Sequence, residues 1–272
     1  MTGQDLIEAI EQSRFEAFGS FGRPPHGETQ SDPELVCVFT TIPVLSPVCS
    51  CIFRARFALD ETERRIDWAL SQFAERRLPV IWNTGPSTRP RELPQYLVAQ
   101  GLTPILEPAG MAANLHTLNT QPSAPAELEI RLVSDADTLK HWAEVFAGGF
   151  GVAGNIQEPL CTLFASLLFG LDAPWHLFLG VLHGVPVATS ALYLGADVAG
   201  IYFVTTLPQA RHQGMGSAVT HASLLTARAQ GYDSAVLHAS PMARHMYTQL
   251  GFQTYCSMGL FAWTPDAQHS AP

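Results

Sequence analysis

Charge is scarce in this chain of 272 residues: 14% are Asp, Glu, Lys or Arg, against 47% apolar. A composition this rich in apolar residues builds a core and does not stay disordered. Basic residues are the scarcer sign, 15 against 24 acidic, for a net charge of −9. No basic stripe interrupts that balance, which argues against nucleic acid as the main partner; a cationic amine is compatible with it. Cysteine is sparse and odd in number: Cys37, Cys49, Cys51, Cys161 and Cys256. Only Cys49 and Cys51 are close, and one intervening residue suits neither a zinc knuckle nor a redox pair. No metal site is expected, and the thiols read as the reduced thiols of a cytoplasmic protein. A secretion signal is missing too. The opening MTGQDLIEAIEQSRFEAFGSF carries acids early, with Leu6, Ile7, Ile10, Phe15 and Phe18 spaced as in an amphipathic helix. The greasiest run, Leu160 to Leu182, has the length of a membrane span but contains Gly170, Asp172, Pro174 and His176. It divides better into a buried helix and a buried strand, so no membrane partner is expected.

What is present centres on VTTLPQARHQGMGSAVTHASLLTARAQG, Val204 to Gly231. It reads as an extended segment, a turn built on RHQGMG and a long helix carrying Ala218, Val219, Ala222, Leu225, Ala227 and Ala229. A glycine turn ahead of a helix suits an anion. The first helical N–H groups lack internal partners, the macrodipole is positive there, and glycine permits close approach to the backbone. The same pattern also serves as a plain tight turn. Next, DSAVLHAS (Asp233 to Ser240) suits a buried parallel strand. PMARHMYTQLGF (Pro241 to Phe252) then predicts a helix with Ser240 as N-cap, Pro241 first and Gly251 as stop. TYCSMGLFAW reads as one closing strand.

R-x-x-G-x-G after a strand, followed by S-x-x-A-x-x-x-Y-x-x-L-G-F after the next, resembles the GNAT superfamily of acyl-CoA-dependent N-acetyltransferases. The specific match covers about Val204 to Phe252, and the fold pattern fits from about Leu128 to Trp263. The resemblance implies acetyl-CoA as co-substrate. It places the pyrophosphate on the backbone amides of Arg211, His212, Gln213, Gly214, Met215, Gly216 and Ser217. Backbone groups of Val204, Thr205 and Thr206 would meet the pantetheine and acetyl carbonyl. Tyr247 would protonate the leaving thiolate, its other reading being a ring packed on the sheet.

Ahead of that region, 20–35 is polar and proline-rich and reads as a loop. ELVCVFTTIPVLSPVCSCIFRARF alternates as one or two strands, and ALDETERRIDWALSQFAERRL is a helix with Leu59, Ile66, Leu70 and Phe73 on one face. PVIWNTGPS is a strand and turn, RPRELPQYLVAQGL a helix stopped by Gly101, and Met111 to Leu115 a strand. This order of elements repeats at 197–263, with Gly101 falling on Gly251, and predicts an internal duplication. The first copy has acids (DETERR) where a phosphate would sit. Leu97 stands where the second copy has Tyr247, and Tyr96 is one residue off, on another helical face. The expected organisation is therefore a degenerate GNAT-like domain over 1–117, a linker over 118–127 (polar, with prolines) and a working domain over 128–272. In the latter, LEIRLVS is a strand, DADTLKHWAEVFAGGFG a helix capped by Asp135, about Gln157 to Phe169 a further helix, and WHLFLGVLHG with VPVATSALYLG a hairpin turned at His183-Gly184. The fold class is α/β (α+β): tandem mixed, mostly antiparallel sheets flanked by helices.

The implied chemistry is direct attack of a primary amine on a thioester in a ternary complex. It needs a deprotonated amine, an aligned acyl group, an oxyanion donor and a proton for the thiolate, but no nucleophilic side chain. A backbone N–H near Val204 is the oxyanion candidate. The base is open: AGIYFV carries no carboxylate, Asp197 stands only at its start, and His183, His238 and His245 are candidates by type. The acceptor, a small-molecule or peptide amine, is not written in the sequence, and neither is the choice between monomer and homodimer. An acyl-CoA-binding regulatory module without turnover and a structural interaction scaffold remain as alternatives.

Overall fold

The computed structural model describes residues 1–118, 122–152, 154–168 and 173–265. The chain divides into two compact units, one of residues 1–109 with 256–272 and the other of residues 110–255.

The first unit runs α1 (Gly3–Gly19), β1 (Gly27–Asp32), β2 (Leu35–Thr40), a single turn α2 (Ser46–Cys49), β3 (Cys51–Phe53), α3 (Thr62–Glu75), β4 (Val80–Thr84), α4 (Leu93–Ala99) and β5 (Thr103–Leu106). The second begins with β6 (Ala109–Asn114) and continues through β7 (Leu128–Leu132), α5 (Ala136–Phe150), α6 (Gln157–Leu168), β8 (Trp175–Leu182), β9 (Val185–Leu194), β10 (Ala199–Thr206), α7 (Met215–Ala229), β11 (Ser234–Ala239), α8 (Arg244–Gln249) and β12 (Gln253–Ser257). A last strand, β13 (Gly259–Trp263), joins the sheet of the first unit.

Among the described residues the sheet orders are β1-β2-β3-β4-β13-β5 and β7-β8-β9-β10-β11-β6-β12. Setting β3 on β10, β4 on β11 and β5 on β12 aligns the two, with α3 matching α7 and α4 matching α8. Both inner pairs are parallel, β3 with β4 and β10 with β11. The duplication expected from the sequence is thus present in the topology. The two sheets also exchange strands: β6, which ends the first copy in sequence, lies in the second sheet, and β13, which ends the second copy, lies in the first.

That exchange is why the units do not follow the expected 1–117, 118–127 and 128–272. Phe261 and Trp263 of β13 pack in the core of the first unit with Phe39, Ile52, Phe73 and Trp82. Their burial assigns β13 to that unit by the hydrophobic effect, whatever the sequence distance. Of the expected linker, residues 119–121 lie outside those described.

Local chemistry explains most boundaries. Asp135 Oδ1 accepts from Thr138 N at 2.8 Å and starts α5, and Gly151 ends it at φ 68°. His183 and Gly184 both take positive φ, 50° and 79°, as a two-residue hairpin between β8 and β9 requires.

Several segments differ from the sequence reading. The polar stretch read as a loop contains β1, an edge strand whose polar side chains are largely exposed, a place where polarity suits pairing on one side only. Leu59 is 61% exposed because it sits in a 3-10 turn ahead of α3, whereas Ile66, Leu70 and Phe73 are buried as expected. The helix expected from Pro241 is shorter. Ser240 O accepts from both Ala243 N and Arg244 N, so the chain makes a turn there and α8 begins only at Arg244. The single closing strand is two, parted at Met258, whose N–H donates to Pro108 O at 3.0 Å.

Candidate functional site

The site of the second unit begins as a fork. β10 pairs with β11 only from Ala199–Ile201 against Ala235–Leu237. Beyond Ile201 the strands part, and the pairing of β10 with β9 shifts register between Tyr202 and Thr205. Phe203 causes the shift: its φ is 51°, in the left-handed region, which costs a residue with a Cβ about 1–2 kcal/mol. Its surroundings hold it there. Thr189 Oγ1 donates to Phe203 O at 2.9 Å. Its ring stacks on Trp175 at 5.8 Å, and Trp142, Phe146 and Phe164 of α5 and α6 stand edge-on to it. Val204, half-buried, packs by the cluster of Met215 and Val219. Thr205 and Thr206 have rejoined the ladder with β9, opposite Thr189 and Ala188.

The chain then makes a 3-10 turn at Pro208–Ala210. His212 takes φ 61°, and Gly214, at φ 81°, is the N-cap of α7. Among the described residues no side chain caps the helix, and the N–H of Ala218 donates to Gly214 O at 3.0 Å. Its first turn carries no acid. α3, at the same place in the first unit, has Glu61 as N-cap and Glu63 in its first turn, a carboxylate-lined start unsuited to an anion.

Among the residues expected to line this turn, Met215 is buried and offers only its backbone. His212 and Gln213 are exposed, and Gly216 and Ser217 half-buried. Arg211 turns its guanidinium inward, donating from Nε to Thr206 O at 3.1 Å and from Nη2 to Gly149 O at 2.9 Å, so it braces the turn. Gly214 is needed for a reason the sequence did not show. A Cβ there would lie 1.9 Å from Ser123 O, so the close approach at Gly214 is made by the chain's own backbone. Gly216 is roomier. A Cβ there would meet only Met246 Sδ at 3.4 Å, Thr206 Oγ1 at 3.6 Å and Val204 Cγ1 at 3.9 Å. N–H groups with no partner among the described residues, an acid-free first turn and this space fit a phosphate ester.

Met246 brings α8 beside the start of α7, and the next residue is Tyr247. Tyr247 is 7% exposed and stands edge-on to Phe252 at 5.9 Å. Burial pushes its hydroxyl well above the usual tyrosine range, so it holds its proton at neutral pH. Of the candidate bases, His183 lies in the exposed hairpin turn, His245 is exposed on α8, and Asp197 is exposed ahead of β10. His238 alone among them stands at the fork, one residue past the last β11 pair. It stacks on Tyr202 with ring centroids 6.3 Å apart and planes at 21°. Cys256 lies in β12, where burial pushes its thiol up to about 11, out of the nucleophilic range.

The first unit carries the same fork, closed. Arg54, the residue after β3, has φ 58° as Phe203 has after Tyr202. The β3–β4 pairing ends at Ile52 and Trp82. The next residue, Asn83, is 4% exposed and donates from Nδ2 to Ile52 O at 3.3 Å. Arg14 of α1, 8% exposed, donates from Nε to Asn83 Oδ1 at 2.7 Å. A buried wedge therefore fills that gap. Leu97, the counterpart of Tyr247, is fully buried. Neither the wedge nor Phe203 had a readable signal, since a positive φ at a bulky residue leaves no mark in sequence.

Comparison with known proteins agrees with this geometry. Residues 178–259 match the family model described as FR47-like protein. No curated protein matches the chain in sequence. Among solved structures, the GCN5-related N-acetyltransferase from Kribbella flavida is similar with a TM-score of 0.74 and 21% identity, covering 97% of each chain. The GCN5-related N-acetyltransferase from Sphaerobacter thermophilus is similar with a TM-score of 0.65 and 15% identity, over 97% of this chain and 94% of that one. A tandem GNAT protein from the clavulanic acid biosynthesis pathway is similar with a TM-score of 0.56 and 12% identity, over 89% and 85%. The fold is that of the GCN5-related N-acetyltransferases. It is present here in tandem, as two sheets of matching strand order. Among the described residues no helix is long and apolar enough to cross a membrane.

Proposed function

We propose that the chain is an acetyl-CoA-dependent N-acetyltransferase whose second unit does the work and whose acceptor is a primary amine, free or on a peptide. One observation carries this reading: the fork between β10 and β11 leads, through the rest of β10 and the turn at 207–214, to the acid-free start of α7, which no described side chain caps. The N–H groups of Gly214 to Ser217 would hold the pyrophosphate, aided by the helix dipole, with Arg211 fixing the turn. Val204 and its neighbours at the fork would offer backbone groups to the pantetheine and the acyl carbonyl. Bound acetyl-CoA supplies an activated acetyl group as a thioester. Tyr247, protonated by its burial, is the proton donor for the thiolate. Five free cysteines suit a cytoplasmic setting.

A second reading, an acyl-CoA-binding module without turnover, has one observation in its favour. The burial that keeps Tyr247 protonated also makes it a weak acid. Thiol release from acetyl-CoA over a panel of amines separates the two readings.

The binding claim is tested by Ser217→Glu. A carboxylate at the third helical position reaches back to the N-cap backbone and takes the place of the anion. The variant should melt at or slightly above the wild-type temperature and lose the stabilisation by acetyl-CoA. In the wild type that stabilisation is about 2.7 kcal/mol at a hundredfold excess over Kd. An undiminished acetyl-CoA shift in Ser217→Glu would remove the pyrophosphate from this turn.

A further inference from the structure

Resting on the acetyltransferase reading, we propose that His238 is a catalytic residue, the base that takes the proton from the acceptor amine. Three observations meet at this side chain. The first is position: the β10–β11 ladder ends at Ile201 and Leu237, and His238 is the next residue on β11, where the strands open. The second is the internal comparison. Asn83 holds the corresponding place in the first unit, and its side chain reaches across the fork to Ile52 O. A side chain at this position therefore projects into the gap between the strands. In the first unit that gap is closed by Asn83 and Arg14. In the second, the same position carries an imidazole, half-buried with both ring nitrogens enclosed, a side chain of the type that serves as a general base. The third is orientation: the ring lies nearly parallel to that of Tyr202. Tyr202 in turn stands 5.9 Å from Trp175, so the imidazole is backed by the aromatic cluster that sets the bulge.

β10 carries no carboxylate along Ala199–Thr206, and His183, His245 and Asp197 are exposed. His238 is thus the group at the fork with the chemistry a base needs. As the amine nitrogen bonds the acetyl carbon, its proton passes to a ring nitrogen of His238. The C–S bond breaks with its electron pair on sulfur, and the thiolate takes a proton from Tyr247 or solvent.

Bromoacetyl-CoA tests this without knowledge of the acceptor. Bound with its acyl group at the fork, it alkylates a neighbouring nucleophile, the new N–C bond forming as bromide leaves with the C–Br electrons. We expect peptide mass analysis to find the label on His238 and excess CoA to suppress it. His238→Asn, which installs the residue the first unit already accommodates here, should keep the acetyl-CoA melting shift and lose the label. With an amine that the panel shows to be acetylated, the same variant should turn over about 100-fold or more slowly. An acetyl-CoA shift with His238 unlabelled, or with the label on another residue, overturns the assignment. Absence of any acetyl-CoA shift in the wild type instead overturns the acetyltransferase reading beneath it.

Discussion

Replacing Gly214 by alanine separates what this glycine does for the protein from what the turn does for a ligand. At φ 81° a residue with a Cβ is strained, by about 1–2 kcal/mol. The Cβ would also stand 1.9 Å from Ser123 O and 2.9 Å from Ser123 C. Both are backbone atoms, so a segment of chain must move rather than a side chain rotate. Overpacking of this kind adds about 1–3 kcal/mol, for a total of about 2–5 kcal/mol. At roughly 2–4 °C per kcal/mol for a protein of this size, calorimetry should show the transition about 4–20 °C lower. Gly216→Ala is the control. Its Cβ comes no nearer than 3.4 Å to another side chain and lies in the first turn of α7, where loss of backbone freedom in the unfolded chain stabilises by about 0.4–1 kcal/mol. The two substitutions, two residues apart, should move the melting temperature in opposite directions. A Gly214→Ala protein that melts with the wild type would refute the packing of Ser123 against this turn.

Tyr247→Phe should preserve the fold and the acetyl-CoA melting shift while lowering turnover by about 100-fold or more; equal loss of binding and turnover would remove Tyr247 from the proton-donor role. Asp135 adds a pH dependence. The Thr138 N–H that it accepts holds its carboxyl below the ordinary 3.8, so the cap contributes stability above that value and loses it as pH falls through the lowered pKa. Asp135→Asn should therefore flatten the acid limb of a stability–pH profile, and an unchanged limb would show that the ionised cap contributes nothing.

Signals that act over a few residues were legible. Asp135 and Gly151 bracket α5, His183-Gly184 turns the hairpin, and RHQGMG opens α7, because caps and positive-φ turns are decided by adjacent residues. Long-range pairing was not. Nothing local in TYCSMGLFAW tells Phe261 and Trp263 to seek β4 and β5 instead of continuing the sheet of β12. That choice is made by the core they complete, far away in sequence. The candidate site shows the same division. Gly214 and Tyr247 were singled out by the spacing of the motifs they stand in. The fork, the strained Phe203 and the Arg14–Asn83 wedge that distinguishes the two copies are products of packing. Gly214 also has a neighbour that its spacing did not show: Ser123 O stands where a Cβ would be.

On the acetyltransferase reading, an anion of acetyl-CoA rests on the backbone at the start of α7. The most direct test is nuclear magnetic resonance of protein labelled with 15N-glycine, titrated with CoA. The amides of Gly214 and Gly216 should shift strongly and together, saturating at the same concentration that raises the melting temperature. If CoA saturates the protein while those two amides stay in place, it binds elsewhere, and the pyrophosphate assignment is contradicted.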